Sequence, residues 1–247
     1  MTKRILQLLD ENRSKPREVR AQADSGRVSI YLSGPIAADY GLGLADLLAV
    51  WPQDATPVDL YINSPGGDVF EARAMTGLIA RHTAPVTAII DGVAASAASY
   101  LALSAQTVRM SEGSLFMIHN AWALAMGDKY EMMATADLLD KVDSTIAADY
   151  ARKTNASAEQ ITAWMNAETW FTAAEALAAK FVDAVDPNAQ PQSRTSWNLS
   201  AYDHAPKPEP TPEPSVDELI AAQMQRLRNR LRILDTRVSA PPHTTAA

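Results

Sequence analysis

Few side chains of this sequence are equipped for nucleophilic or acid–base chemistry at neutral pH: cysteine is absent and only four histidines are present, at 82, 119, 204 and 243. Thiolate chemistry and disulfides are excluded. Ser96 stands out in Asp91-Gly92-Val93-Ala94-Ala95-Ser96-Ala97-Ala98-Ser99-Tyr100. A strand-like run, Pro85 to Ile90, precedes it, and an apolar helix-like run from Ser96 to Ala105 follows. A serine at a strand-to-helix turn, ringed by glycine and alanine, has nothing bulky to hide it. Its hydroxyl would meet the free N–H groups of a helix N-terminus, where developing negative charge is favoured. Nucleophilic serines are presented this way in unrelated hydrolases. The plainer alternative is that Ser96 caps a buried helix.

Three further stretches shift the balance. Ile62-Asn63-Ser64-Pro65-Gly66-Gly67 places glycines directly after a strand, so backbone N–H groups can face a substrate oxygen with no side chain between. Met117-Ile118-His119-Asn120 ends a strand in histidine, at the side of an α/β domain where ligands collect. Glu168-Thr169-Trp170-Phe171-Thr172-Ala173-Ala174-Glu175-Ala176 begins with a carboxylate that could orient and stabilise a protonated imidazole. His82 falls at a helix C-terminus, where a cation meets the dipole, and reads as structural. Glu175 reads as part of a solvated helix face.

The elements that must position these residues follow from hydrophobic periodicity. Val28, Ile30 and Leu32 alternate with polar residues, as do Val58, Leu60 and Ile62, giving two strands. Helices are expected over Tyr40 to Trp51, from Asp68 onward with Phe70, Ala74 and Leu78 on one face, and over Gly127 to Asn155 with Leu139, Val142, Ile146 and Tyr150 as its stripe. Short strands at Thr107 to Met110 and Leu115 to His119 precede the long helix, and helices at Ser157 to Asn166 and Thr172 to Lys180 lead to a closing strand, Phe181 to Val185. Strands alternating with helices define an α/β domain with mainly parallel pairing, residues 26–186. Residues 1–25 read as an N-terminal arm, a short helix with a mobile or removable segment. Residues 187–214 carry seven prolines and read as a disordered linker. Residues 215–238 form a short heptad helix, with Ile220, Met224, Leu227, Leu231, Leu234 and Val238 on its seam, suited to docking or oligomerisation. Residues 239–247 are a disordered tail.

With 247 residues, 47% hydrophobic and 21% charged, the composition is that of a globular protein. A net charge of -7 argues against nucleic acid as the main partner. No signal-peptide core is seen, and no stretch approaches the roughly twenty apolar residues of a membrane span. A cytoplasmic location is expected.

The four stretches, in this order and spacing, resemble the proteolytic subunit of the Clp protease, a family of self-compartmentalised serine peptidases. The resemblance covers Val28 to Val185 and includes Phe181-Val182-Asp183. It implies the spiral of β-β-α units, shared with crotonases, with a long protruding helix. It also implies a serine endopeptidase with Ser96 as nucleophile and His119 as general base. Glu168 falls where the family has an aspartate, one methylene shorter. The oxyanion hole maps to the N–H groups of Gly67 and Ala97, and Ser99 is a rival nucleophile that the family register disfavours. The substrate is expected to add as a strand along Gly66, Asp68 and Asn120. No metal or organic cofactor is implied. Expected partners are polypeptide substrates, other copies in a ring, and an ATP-driven (AAA+) unfoldase. The glutamate, the linker and the tethered helix resemble the Clp-related head-maturation proteases of tailed phages, whose substrates are capsid and scaffold proteins. An enoyl-CoA hydratase-like enzyme and a non-catalytic assembly module are the other classes. Intact Ser96 and His119 argue against both.

Overall fold

A computed structural model describes residues 4–40, 42–187 and 196–206. The heptad helix, the linker beyond residue 206 and the terminal tail lie outside the described residues. Contacts group Met1–Ala205 into one unit and Pro206–Ala247 into another.

The sheet is built on the alternating runs. Strand β2 (Arg27–Ser33), β3 (Val58–Ser64) and β4 (Val86–Ala95) lie parallel and adjacent, with Ile30 opposite Leu60 and Leu60 opposite Ala88. Ile30, Leu60, Ile62, Val86, Ala88 and Ile90 are buried, so period-two alternation sends one face of each strand into the core. β4 is ten residues long and changes partner along its length. Its first half pairs with β5 (Thr107–Ser111), and Val93 to Ala95 pair with β6 (Leu115–Ile118). β8 (Ala184–Asp186) extends the β5 edge in parallel, and β7 (Thr169–Thr172) runs antiparallel to β6. The result is a mixed α/β fold in which a single strand bridges two branches of the sheet.

Two regions depart from expectation. In residues 4–25 the expected short helix, α1 (Arg4–Glu11), buries Leu8, and the segment after it is no loose arm: β1 (Glu18–Asp24) pairs antiparallel with β2 along its length. The linker also begins later than expected. Trp197, Ala201 and Tyr202 are buried, and they share an apolar cluster with Leu8, Val93, Ala95 and Met117.

The helices start where side chains satisfy their first N–H groups. Asp68 accepts from the N–H groups of Phe70 and Glu71 to open α3 (Val69–Arg81). Asp128 and Glu131 form a capping box for α5 (Lys129–Thr154), which Asn155 ends in a left-handed conformation at φ 58°. Val142, Ile146 and Tyr150 bury the second half of α5. Its first half is largely exposed. α2 (Leu44–Val50) covers only the second half of the expected 40–51 helix; a 3-10 turn, Ala38–Tyr40, precedes it. Ser157 caps α6 (Ala158–Asn166). Thr172 and Glu175 form the capping box of α7 (Ala173–Ala178), so Glu175 is a capping residue and more than a solvated one.

Candidate active site

The four stretches singled out in the sequence meet at the ends of parallel strands, as pairing register requires. Ala95 pairs with Met117, and the Ser96 N–H donates to the Met117 carbonyl at 3.0 Å. Ser96 therefore follows β4 at the level where His119 follows β6. Ser64 pairs with Ala94, which lays Pro65-Gly66-Gly67 against the same end of β4. In the antiparallel β6–β7 ladder Ile118 faces Thr169, so the next pair outward is His119 and Glu168.

Ser96 immediately precedes α4 (Ala97–Ala102) and has φ 55°, ψ -123°. A non-glycine residue at positive φ is sparsely populated and costs about 1–3 kcal/mol, which the surrounding packing must hold. Its hydroxyl makes no cap bond to α4, so the capping alternative does not describe it. Instead Oγ lies 2.7 Å from His119 Nε2. Ser99 is fully buried and turned inward; its hydroxyl donates to the Ser96 carbonyl at 2.6 Å and lies 2.9 Å from the Tyr150 hydroxyl.

His119 is 8% exposed. Burial first, and the Arg4 guanidinium second, push its pKa down from 6.5 to about 3. The ring is neutral at ordinary pH, and with its proton on Nδ1 it offers Nε2 as acceptor to the Ser96 hydroxyl. Trp122 and Tyr202 stand edge-on to it, at centroid distances of 4.6 and 5.4 Å.

Glu168 is buried, at φ 47°. The carboxylate does not bond to His119 among the described residues. Oε1 accepts from the His204 N–H at 2.7 Å and the Trp170 indole at 3.4 Å, and Oε2 accepts from the Asp203 N–H at 3.1 Å. Register places Glu168 opposite the histidine, and its longer side chain is held by the polypeptide at 203–204.

Gly67 has φ 145°, and a Cβ there would stand 2.1 Å from the Ile36 carbonyl oxygen, so only glycine fits. Ile36 bonds the residues on either side: its N–H donates to Gly66 O at 2.8 Å, and its carbonyl accepts from Asp68 N at 2.7 Å. Strand alternation then turns the Gly67 N–H away from Ile36. The same bonds engage residues expected along the substrate edge. The Gly66 N–H is also taken, by Ser64 Oγ at 3.2 Å, and the Asp68 carbonyl accepts from Ala72. Both N–H groups thus have partners within the chain, and each carbonyl accepts one bond. Asn120 Nδ2 donates to Asn166 Oδ1 at 2.8 Å.

His82 is structural in a different manner from that expected. Its Nδ1 accepts from the Trp51 indole at 3.3 Å and Nε2 faces the Thr56 carbonyl at 2.8 Å, so the ring ties the end of the helix to two neighbouring segments. A cleft of about 510 Å³, lined by Arg27, Asp59, Tyr61, Arg109 and Asp186 among others, contains none of the site residues, and both its arginines are paired with aspartates. Among the described residues, no group of three or more His, Asp or Glu side chains is arranged to hold a metal.

Sequence reasoning did not find Tyr202, Trp122, Trp170 and Arg4 at this site. The signal for Tyr202 was slight: with Trp197 it is an aromatic residue in a stretch otherwise dominated by proline and polar residues.

A serine-histidine pair at the ends of parallel strands, on a strand-to-helix turn beside a glycine loop, is the constellation of a serine hydrolase. Comparison with known proteins agrees. The family described as Clp protease matches residues 19–188, and the chain belongs to that family. It is 31% identical over 147 residues to the ATP-dependent Clp protease proteolytic subunit of Leuconostoc citreum, covering 58% of this chain and 74% of the relative. It is 30% identical over 173 residues to the protein of that name from Streptococcus gordonii, covering 64% and 84%. Among the described residues no helix is long and apolar enough to cross a membrane.

Proposed function

We propose that the chain hydrolyses peptide bonds by acyl transfer through Ser96. The observation that carries this reading is the 2.7 Å approach of Ser96 Oγ to a buried, neutral His119 Nε2. His119 takes the hydroxyl proton as Oγ attacks the peptide carbonyl carbon, and the carbonyl oxygen becomes an oxyanion between the N–H groups of Gly67 and Ala97. His119 then passes the proton to the leaving amine, and water resolves the acyl-enzyme by the same steps in reverse order. Glu168 orients the imidazole once its carboxylate is turned to Nδ1. The substrate backbone meets Gly67 on one side and the chain beyond Asn120 on the other. Neither metal nor organic cofactor enters this chemistry.

The relatives are named as proteolytic subunits of an ATP-dependent protease, and that likeness favours a role for this chain beside an ATP-driven unfoldase. The glutamate at 168 and the extension beyond residue 187 support a second setting, processing of capsid and scaffold proteins in an assembling phage head without an ATPase. Reconstitution with an unfoldase and with capsid precursor would separate them.

Ser96→Ala is expected to abolish both peptide hydrolysis and labelling by a fluorophosphonate, with an unchanged melting profile. Hydrolysis retained by Ser96→Ala would remove the assignment.

A further inference from the structure

The polypeptide lying against the serine-histidine pair is the chain's own. At residue 197 the indole N–H donates to the Asn63 carbonyl at 2.9 Å, at the root of the loop that carries Gly67. At residue 202 the phenol donates to the Pro65 carbonyl at 2.6 Å. The phenolic oxygen lies 3.2 Å from where a Cβ on Gly66 would stand, and that same position is 2.8 Å from Ser96 Cβ. The Tyr202 ring is walled by His119, Trp122 and Trp170, at 5.4, 4.9 and 5.7 Å between centroids. The next two N–H groups, of Asp203 and His204, hold the Glu168 carboxylate.

We propose that residues 196–205 are a cis-acting inhibitor seated in the peptide cleft, with Tyr202 in the pocket beside Ser96 and His119, and that hydrolysis requires this strap to leave. The inference rests on the peptidase reading above. A scissile carbonyl must come within roughly 3–3.5 Å of the attacking oxygen. Tyr202 crowds one side of that approach, and His119 is buried beneath Tyr202 and Trp122, while Ser96 stays partly exposed. The strap is held by two main-chain carbonyls, an aromatic wall and a carboxylate, groups of the kind that can hold a peptide. The cleft is therefore suited to peptides that place an aromatic side chain where Tyr202 now lies. Strap binding also disables the site chemically, because it takes Glu168 from His119. Buried and beside Arg4, the imidazole is a weaker base than one poised near the working pH.

The latch is built from α1 and the turn that follows it. Buried Asn12 reads both backbone groups of Asn198, donating to its carbonyl at 2.9 Å and accepting from its N–H at 2.7 Å. Arg4 pairs with Asp203 through side chains that remain about half exposed. Hydrogen bonds and an exposed ion pair form a latch that a partner or substrate can open.

The test compares full-length wild type, Tyr202→Ala and Arg4→Asp, each with and without Ser96→Ala, by the rate of fluorophosphonate labelling and the hydrolysis of a fluorogenic peptide bearing an aromatic residue. Tyr202→Ala is expected to raise both at least tenfold, and a synthetic peptide of residues 196–205 added in trans to inhibit that variant. Arg4→Asp, altered at half-exposed side chains and so folded, is expected to give a several-fold rise that Arg4→Asp/Asp203→Arg reverses. Rates that stay level or fall in both variants overturn the strap. If such rates still depend on Ser96, the peptidase reading stands without it. Labelling absent from every background overturns both.

Discussion

At the scale of single residues, the site places unusual demands on three side chains. Ser96 and Glu168 both hold left-handed backbone angles, φ 55° and 47°, which neighbouring strands must enforce. His119 is kept neutral by burial, with its pKa lowered to about 3. That shift links stability to pH. Between about pH 3 and 6.5 the unfolded chain binds a proton at this residue that the folded chain does not. Stability from this source is therefore complete above pH 6.5 and is lost as pH falls toward 3, at up to about 1.4 kcal/mol per pH unit. The groups facing the ring are Arg4, Trp122, Tyr202 and Ser96. Denaturant midpoints of wild type and His119→Gln, measured from pH 7.5 to 4, are expected to differ in slope, with the wild type falling more steeply. Parallel curves would show that the histidine is not held neutral by the fold.

At the scale of elements, the site is a product of register. Pairing of β4 with β6 and of β6 with β7 brings Ser96, His119 and Glu168 to one level, and the Ser64–Ala94 pair adds the glycine loop. Much of this was legible in the sequence. β2 and β3 showed themselves because one face of each is buried, which forces alternation at Val28, Ile30 and Leu32 and at Val58, Leu60 and Ile62. Strand β1 did not, since it pairs only with β2 and exposes Gln22, Ala23 and Asp24. An edge strand with mixed exposure carries little period-two signal. The last five residues of β4 read as a turn, because Gly92, Ala94 and Ala95 have no bulk to form a pattern; a Cβ on Gly92 would stand 2.8 Å from Asn63 Oδ1. The strap was hidden for a different reason. Its partners, Asn12 and Glu168, are distant in sequence, so no local periodicity announces it. Gly67 was visible as a turn glycine, but its packing was not. Gly67→Ala is expected to lower stability by about 2–4 kcal/mol, because a Cβ would strike the Ile36 carbonyl. Gly113→Ala makes the control: φ is 83° but nothing lies within 4 Å, so only the backbone cost of about 1–2 kcal/mol applies. Equal losses of thermal stability in the two variants would refute the close-packing explanation.

At the scale of the whole molecule, the exposed half of α5 is the feature that a lone chain does not explain. Tyr130, Met133 and Leu138 on α5 are 68%, 62% and 49% exposed, and Leu124 and Met126 in the segment just before it are exposed as well. The same helix buries Val142, Ile146 and Tyr150 further along, so its two halves have different surroundings. Large apolar side chains left open together mark a surface that another protein covers. The resemblance to the Clp proteolytic subunit implies other copies in a ring, and a second copy of this chain is the occupant we propose here. The alternative seat of assembly is the separate unit, Pro206–Ala247. The two make opposite predictions in sedimentation velocity. If α5 carries self-association, Met133→Glu/Leu138→Glu shifts the protein toward smaller species, and deletion of residues 206–247 leaves the assembled size per chain unchanged. The double substitution lies at exposed positions and is expected to change the melting temperature of the monomeric unit by no more than a few degrees, corresponding to at most about 0.5 kcal/mol per site. Should the deletion disperse the assembly while the glutamates do not, the tail is the assembling element, and the apolar half of α5 must serve another partner.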